Sequence, residues 1–114
     1  MNKKLMAVLK EPGKDAVEIE IDNTLNATQG AVGGYIEVVH TPIGVVLIVD
    51  EEGRLKGLPE NVKTEFGTLA GPVLVVGLGD GENFGSLTPE RVVGMKKYLN
   101  DCAVKAAANN EGGK

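Results

Sequence analysis

The chain has one histidine, His40, whose ordinary pKa suits it to carry a proton near neutral pH. A general base of this kind needs an acidic side chain to orient it, and Glu37 and Asp50 are the candidates. The spacing of these residues matches no catalytic triad, so the competing interpretation is a surface histidine at the end of a strand. The sequence therefore predicts no catalytic residue, and a small hydrolase or transferase built on His40 is the weaker alternative.

A glycine-rich segment, Gly77-Leu78-Gly79-Asp80-Gly81, directly follows an apolar run. Backbone N–H groups in such a turn can approach a phosphate closely. The spacing is G-x-G-x-G, which differs from the dinucleotide-binding G-x-G-x-x-G, and no lysine completes a phosphate-binding loop. A turn that binds nothing is therefore the alternative to a nucleotide-binding turn at Gly77, Gly79 and Gly81.

The sequence gives little support for a metal-binding site. Asp80, Glu82 and Asn83 offer oxygen ligands for a hard cation, but the twelfth position of a calcium loop that begins at Asp80 is Arg91, which has no oxygen donor. A single histidine and a single cysteine, Cys102, cannot form a Cys/His metal framework. We expect neither a metal nor a cofactor.

If a nucleotide-like ligand is bound, its charge and its base must be recognised by residues outside the glycine-rich turn. Arg54 or Lys56 can supply positive charge. Tyr35 or Phe84 can supply a face for stacking, although core positions are the competing interpretation because the chain has only four aromatic residues. The predicted ligand-binding residues are these four together with Gly77, Gly79 and Gly81.

Length and composition restrict the class of protein. The chain has 114 residues, of which 42% are hydrophobic, and this suits one domain with a modest aliphatic core. A formal net charge of −4 gives little attraction to nucleic acid or anionic lipid. No apolar run approaches the roughly 20 residues of a membrane helix. Together with the single cysteine, these features predict a cytoplasmic protein with no nucleic-acid or membrane partner.

The first half of the chain predicts two strand pairs and a short helix. Residues 5–9 and 17–21 flank a Pro-Gly turn and form an antiparallel hairpin. A short helix follows, with Asp22 as its N-cap and Gly33-Gly34 at its end. Residues 35–39 and 45–49 are rich in β-branched side chains and are separated by a loop with proline and glycine, so they form a second antiparallel pair.

The second half predicts a central strand and a long helix. Residues 55–70 show no clear period and contain Pro59, so we expect a structured loop with at most one helical turn. Residues 73–76 form an uninterrupted apolar run, which is typical of a strand covered on both faces. Thr88 and Pro89 begin a helix that we expect to reach about Ala108. Its apolar face comprises Val92, Met95, Leu99, Cys102 and Ala106.

These elements predict one α+β domain over residues 1–108. A mixed or antiparallel sheet of about five strands carries the short helix and the longer C-terminal helix. Residues 109–114 are polar and rich in glycine, so we expect a disordered tail.

Several blocks of the sequence follow one another as in an uncharacterised domain family. They are GGYIEVV from Gly33, DEEGRLKGLPEN from Asp50, GPVLVVG from Gly71 and NFGSLT from Asn83. In these blocks the chain resembles domain of unknown function 3846, a family encoded mainly by phages, plasmids and other mobile elements. The resemblance begins in the opening strand and extends to about residue 90, so the long final helix lies outside it.

The resemblance implies an accessory protein of a mobile element and supplies no catalytic residues. The chain departs from the family pattern where Glu60 precedes Asn61 and where residues 62–69 lack an Asn-Arg pair. We expect a non-enzymatic protein of the host-cell cytoplasm that inhibits a host protein or, in counter-defence, sequesters a nucleotide-derived signal. The alternative from another class is a homo-oligomeric protein-interaction module.

Overall fold

The computed structural model describes residues 4–79 and 83–104. Two helices and eight strands are formed within these residues, and the class is α+β, which confirms the expectation from the sequence. The elements in chain order are β1 (Lys4–Lys10), β2 (Val17–Asp22), α1 (Leu25–Val32), β3 (Ile36–His40), β4 (Val45–Asp50), β5 (Glu60–Thr64), β6 (Gly67–Ala70), β7 (Val73–Leu78), β8 (Phe84–Gly85) and α2 (Pro89–Asp101).

The main sheet is antiparallel and has the strand order β2-β1-β7-β4-β3, with the short β8 paired to the end of β7. The predicted hairpin is β1 with β2, and the predicted second pair is β3 with β4. Strand β7 lies between β1 and β4, and its residues from Val73 to Val76 are fully buried. This confirms the central position that the apolar run predicts.

Each face of the sheet is covered by one helix. Strand β4 alternates between the two faces, with Val45, Leu47 and Val49 on one side and Val46 and Ile48 on the other. The first set packs with buried residues of α2 and of β5, so we call this side the α2 face. The second set packs with residues of α1, so we call the opposite side the α1 face. The result is a three-layer domain.

The short helix α1 forms as predicted, but its N-cap is not Asp22. Strand β2 continues through Asp22, which pairs with Lys4, so the cap position falls two residues later. The hydroxyl oxygen of Thr24 accepts a hydrogen bond from the Ala27 N–H at 3.1 Å. The helix ends at Gly33, whose φ of 90° is the left-handed conformation that favours glycine.

The expectation of a loop over residues 55–70 is wrong, because β5 and β6 form a hairpin there. The hairpin lies over the α2 face, and Val62 is part of the core on that side. A bulge between Glu60 and Val62 shifts the register and leaves the adjacent residues Asn61 and Val62 both buried. The alternation that identifies a strand in a sequence is lost at this bulge.

Helix α2 begins at the predicted cap, where the Thr88 hydroxyl accepts from the Arg91 N–H at 3.2 Å, and it buries Val92, Met95 and Leu99. It ends at Asp101 and does not continue towards Ala108. The edge of β5 binds the next residues instead, since the Lys63 N–H donates to the Cys102 carbonyl at 2.9 Å.

Cys102 is half-buried just beyond the end of α2. Ala106, Ala108 and the predicted tail 109–114 lie outside the described residues.

Candidate functional site

A groove of about 400 Å³ opens on the α2 face. Its floor is formed by Val45 and Leu47 of β4. Helix α2, the turn between β5 and β6 and the loop between β3 and β4 surround this floor. Their lining residues are Thr41, Pro42, Ile43, Glu65, Phe66, Glu90, Arg91, Gly94, Met95 and Tyr98. Most of the lining is apolar, which is typical of ligand-binding pockets.

Gly94, in the middle of α2, lines the groove. A Cβ atom at this position would meet no heavy atom within 4 Å, so the space above the helix backbone is free. The opposite wall is held by the loop between β3 and β4, where both the backbone N–H and the hydroxyl of Thr41 donate to the Val45 carbonyl. The Arg91 guanidinium donates to the Ile43 carbonyl and so joins this loop to α2.

Polar groups occur at the rim of the groove. The Tyr98 hydroxyl donates to Glu65 Oε1 at 2.7 Å and joins α2 to the β5–β6 turn. Burial and this hydrogen bond raise the pKa of Tyr98, and the same bond lowers the pKa of Glu65. Glu90 and Arg91 are the other charged lining residues, so the groove is lined by two carboxylates and one guanidinium.

The ligand-binding residues predicted from the sequence do not converge on one place. Asp50, at the end of β4, is opposite Ile36 in β3, so Tyr35 and Lys56 lie near that end of the sheet. Val45, at the start of β4, is opposite Gly77. Tyr35 and Lys56 therefore lie near one end of β4, and Gly77 lies near the other end. Gly79 and Phe84 lie at the same end as Gly77. The Arg54 guanidinium donates to the Thr68 carbonyl of β6, and Gly81 lies outside the described residues.

Lys56 is engaged in an ion pair. Its Nζ lies 2.7 Å from Asp50 Oδ2, and only 1% of the Asp50 side chain is exposed. Asp50 Oδ1 also accepts from the Glu52 N–H at 2.8 Å. The hydrogen bond from Lys56 lowers the pKa of Asp50, and the same bond raises the pKa of Lys56. The ammonium group is thus used to satisfy a buried carboxylate.

The glycines near the end of β7 lie close to the backbone around β8. A Cβ atom at Gly77 would lie 2.6 Å from the Ser86 carbonyl oxygen, and one at Gly79 would lie 2.7 Å from that of Phe84. The Gly79 N–H donates to the Asn83 carbonyl at 2.8 Å. The packing of two backbone segments therefore explains these two glycines without a ligand.

The two aromatic candidates differ in exposure. Phe84 is half-buried and packs against the core of the α1 face, as the core interpretation predicts. Tyr35 is 69% exposed, so a core position for Tyr35 is wrong. The residue stands just before β3 at the outer edge of the sheet.

His40 is exposed at the end of β3. Asp50 is opposite Ile36 at the other end of that strand, so it cannot orient the His40 ring. Within residues 4–79 and 83–104, no His, Cys, Asp and Glu side chains gather in a group of three that could hold a metal ion. Among the described residues, the geometry brings no acidic side chain known to orient His40, so it gives the hydrolase or transferase alternative no support.

Sequence reasoning missed one buried polar pair. Lys10 is 2% exposed, and its ammonium donates to Asn61 Oδ1 and to the Glu11 carbonyl, both at 3.0 Å. The Asn61 amide donates to the carbonyls of Lys10 and Gly71 at 2.7 and 2.8 Å. Burial lowers the pKa of Lys10. Lys10 shares a strand face with Val8, and this period of two was the available signal.

The groove was missed as well. Its signal in the sequence was Gly94, a glycine in the interior of a helix otherwise well marked by its cap. Such a glycine weakens a helix and usually has a packing or functional reason.

Comparison with protein-family models gives a match to a domain of unknown function, DUF3846, over residues 3–103. The chain belongs to this family. Because the match continues to residue 103, α2 is part of the DUF3846 domain, which corrects the expectation that the last helix lies outside the resemblance. No curated protein and no solved structure matches the chain. In the described part of this DUF3846 domain, no helix has the length and apolar character needed to cross a membrane.

Proposed function

We propose that this DUF3846 protein acts by binding, and that the groove on the α2 face holds an apolar group of a partner protein. The observation that carries this proposal is the groove itself, which is lined by the exposed apolar side chains of Ile43 and Phe66 beside a helix that has no side chain at Gly94. An apolar side chain that enters this space removes apolar surface from water, which favours association.

The charges around the groove favour a protein partner over a nucleotide. Glu65 and Glu90 would face the phosphate groups of a nucleotide, and Arg91 alone would offset them. The Arg91 guanidinium already donates to the Ile43 carbonyl. We infer that the protein is a mobile-element accessory factor that inhibits a host protein. Capture of a nucleotide-derived signal in counter-defence is the second version.

A neutral fluorescent probe, N-phenyl-1-naphthylamine, tests the groove without knowledge of the natural partner. We expect its fluorescence to rise on binding to the wild-type protein. Gly94→Leu fills the space and should weaken probe binding at least about tenfold, which corresponds to about 1.4 kcal/mol. Gly30→Leu in α1 is the matched control, because it is also an exposed helical glycine with no atom within 4 Å of a Cβ.

Two outcomes contradict the proposal. One is wild-type protein that does not bind the probe, and the other is equal binding by Gly94→Leu and Gly30→Leu. A thermal-shift panel of cyclic nucleotides and ADP-ribose separates the two versions, since a ligand of the native state raises its stability. A shift that is lost in Gly94→Leu would favour the nucleotide version over the protein partner.

A further inference from the structure

The outer strand β3 has one row of backbone groups that no described residue pairs. The Glu51 N–H donates to the Tyr35 carbonyl at 2.8 Å, and the Thr41 N–H donates to the Val45 carbonyl at 3.2 Å. Every second residue from Tyr35 to Thr41 therefore directs its backbone N–H and carbonyl groups towards β4. Because this direction alternates along a strand, the backbone groups of Ile36, Val38 and His40 point outward from the sheet.

The other outer strand, β2, has a different outward row. The Met6 N–H donates to Ser86 Oγ, and the Met6 carbonyl accepts from the Leu87 N–H, so Met6 faces away from β2. Glu20 is opposite Met6, and the outward residues of β2 are therefore Glu18, Glu20 and Asp22.

The outward rows decide which edge can pair with a second copy. When two edge strands pair antiparallel, a residue whose backbone groups point outward on one strand lies opposite such a residue on the other strand. For β2, every such register puts one carboxylate opposite another, which is destabilising and protects this edge. For β3, the outward residues are Ile36, Val38 and His40, which include no carboxylate.

One symmetric register uses the whole outward row of β3. With Val38 opposite Val38 of the second copy, Ile36 lies opposite His40, and all three outward residues form hydrogen-bonded pairs. Glu37, the only carboxylate of the strand, then lies opposite Val39 of the second copy. No like charges meet in this register.

The same register brings two exposed apolar residues towards the partner. Tyr35 is 69% exposed and Ile43 is 59% exposed. Tyr35 lies opposite Thr41 of the second copy, next to the loop that carries Ile43. Tyr35, Glu37, Val39 and Thr41 share the side of the sheet on which the groove opens, because Val39 is opposite Leu47 of its floor. Each Tyr35 would thus stand at the mouth of the other copy's groove.

We propose that the protein is a homodimer in which two β3 strands pair antiparallel about Val38 and Tyr35 of each copy lines the groove of the other. The pairing continues the main sheet from one copy into the next. This proposal does not require the groove to bind a partner protein, so probe binding and dimer formation can fail independently. The contact is short, so we expect the fraction of dimer to depend on protein concentration.

Sedimentation velocity over a range of protein concentrations tests the dimer. We expect the mass of the wild-type protein to rise from 11.9 kDa to twice that value. Val38→Pro removes an outward N–H and leaves the hydrogen bonds between β3 and β4 in place, because proline is tolerated at a sheet edge. It should weaken association at least about tenfold. Glu20→Pro is the matched control, since it removes an outward N–H from the β2 edge.

Tyr35→Ser gives a second variant that leaves the strand backbone unchanged. Because Tyr35 is exposed in the monomer, the variant should fold normally and still associate more weakly than the wild type. Circular dichroism of both proline variants shows whether their folds are retained. A wild-type protein that stays monomeric at every concentration would overturn the proposal. So would loss of the dimer in Glu20→Pro with its retention in Val38→Pro and Tyr35→Ser.

Discussion

Gly34 shows how closely one residue can be fixed by its surroundings. A Cβ atom there would lie 2.6 Å from Lys56 Nζ and 2.9 Å from Asp50 Oδ2. Its neighbour Gly33 is needed for a different reason, the left-handed backbone at the end of α1. The sequence predicts the helix end from this glycine pair, but the reason for Gly34 depends on residues far along the chain.

Replacement of Gly34 by alanine should push the Lys56 ammonium away from Asp50. The buried carboxylate then loses its partner, and we expect the free energy of unfolding to fall by about 1–3 kcal/mol. Gly30→Ala is the control, because Gly30 is an exposed glycine within α1 and alanine there should stabilise by about 0.5–1 kcal/mol. Urea unfolding of the two variants measures the difference, and equal stability would contradict the steric role of Gly34.

Asp50 should make the stability depend on pH in the acid range. Its pKa is lowered in the folded state, chiefly by the hydrogen bond from Lys56, so the folded state binds this proton less readily than the unfolded chain. The stabilisation is present above the unfolded pKa of about 3.9 and is lost as the pH falls through the folded value. Urea midpoints between about pH 2 and pH 7 should fall less steeply for Asp50→Asn than for the wild type.

At the scale of elements, the bulge at Asn61 explains why the sequence did not predict the β5–β6 hairpin. The residue is polar and yet 1% exposed, and its amide donates to the carbonyls of Lys10 and Gly71. A period of two cannot be recognised when consecutive residues both turn inward. Hairpin β1–β2 was predicted because its alternation is unbroken and its turn carries Pro-Gly.

Asn61→Leu should loosen the attachment of this hairpin to β1. The substitution leaves the Lys10 ammonium with one acceptor fewer and two buried carbonyls without this donor, so we expect a loss of about 3 kcal/mol. The double variant Lys10→Met with Asn61→Leu should lose less than the sum of the single variants, because an apolar pair replaces both partners. Additive losses in urea unfolding would contradict a coupled pair.

Substitutions at Leu99 and Val93 test the buried and the exposed side of α2. Leu99 is fully buried against the sheet, whereas Val93 is 70% exposed. Leu99→Ala should lower the free energy of unfolding by about 2–5 kcal/mol, because it removes buried methyl groups and leaves a cavity. Val93→Ala should change it by no more than about 0.5 kcal/mol. Similar losses for both variants would show that α2 is not anchored through its buried face.

The C-terminal end of α2 was not predictable from helix signals alone. Alanine-rich sequence continues after Asp101, and alanine is the best helix former. The edge of β5 offers competing backbone partners, which Cys102 and Val104 take. A tertiary contact therefore decides where the helix ends.

At the scale of the whole molecule, the sequence predicts the layers better than the site. The uninterrupted apolar run of β7 indicates a strand with both faces covered, and β7 does lie inside the sheet, between β1 and β4. The groove depends on α2, the β5–β6 turn and the β3–β4 loop meeting above β4. Residues so far apart in the chain leave no local pattern, and one of the three walls belongs to the hairpin that the sequence concealed.

Labelling of the Cys102 thiol can report on the contact between α2 and β5. The thiol is the only one in the chain, and it is half-buried where α2 meets β5. Its backbone N–H donates to Tyr98, its carbonyl accepts from Lys63, and its side chain packs against the core of the α2 face, so separation of this junction should make the thiol more accessible. Alkylation followed by mass spectrometry should therefore time the detachment of the hairpin from the helix. Asn61→Leu should accelerate labelling at urea concentrations below the global transition, whereas Val93→Ala should not.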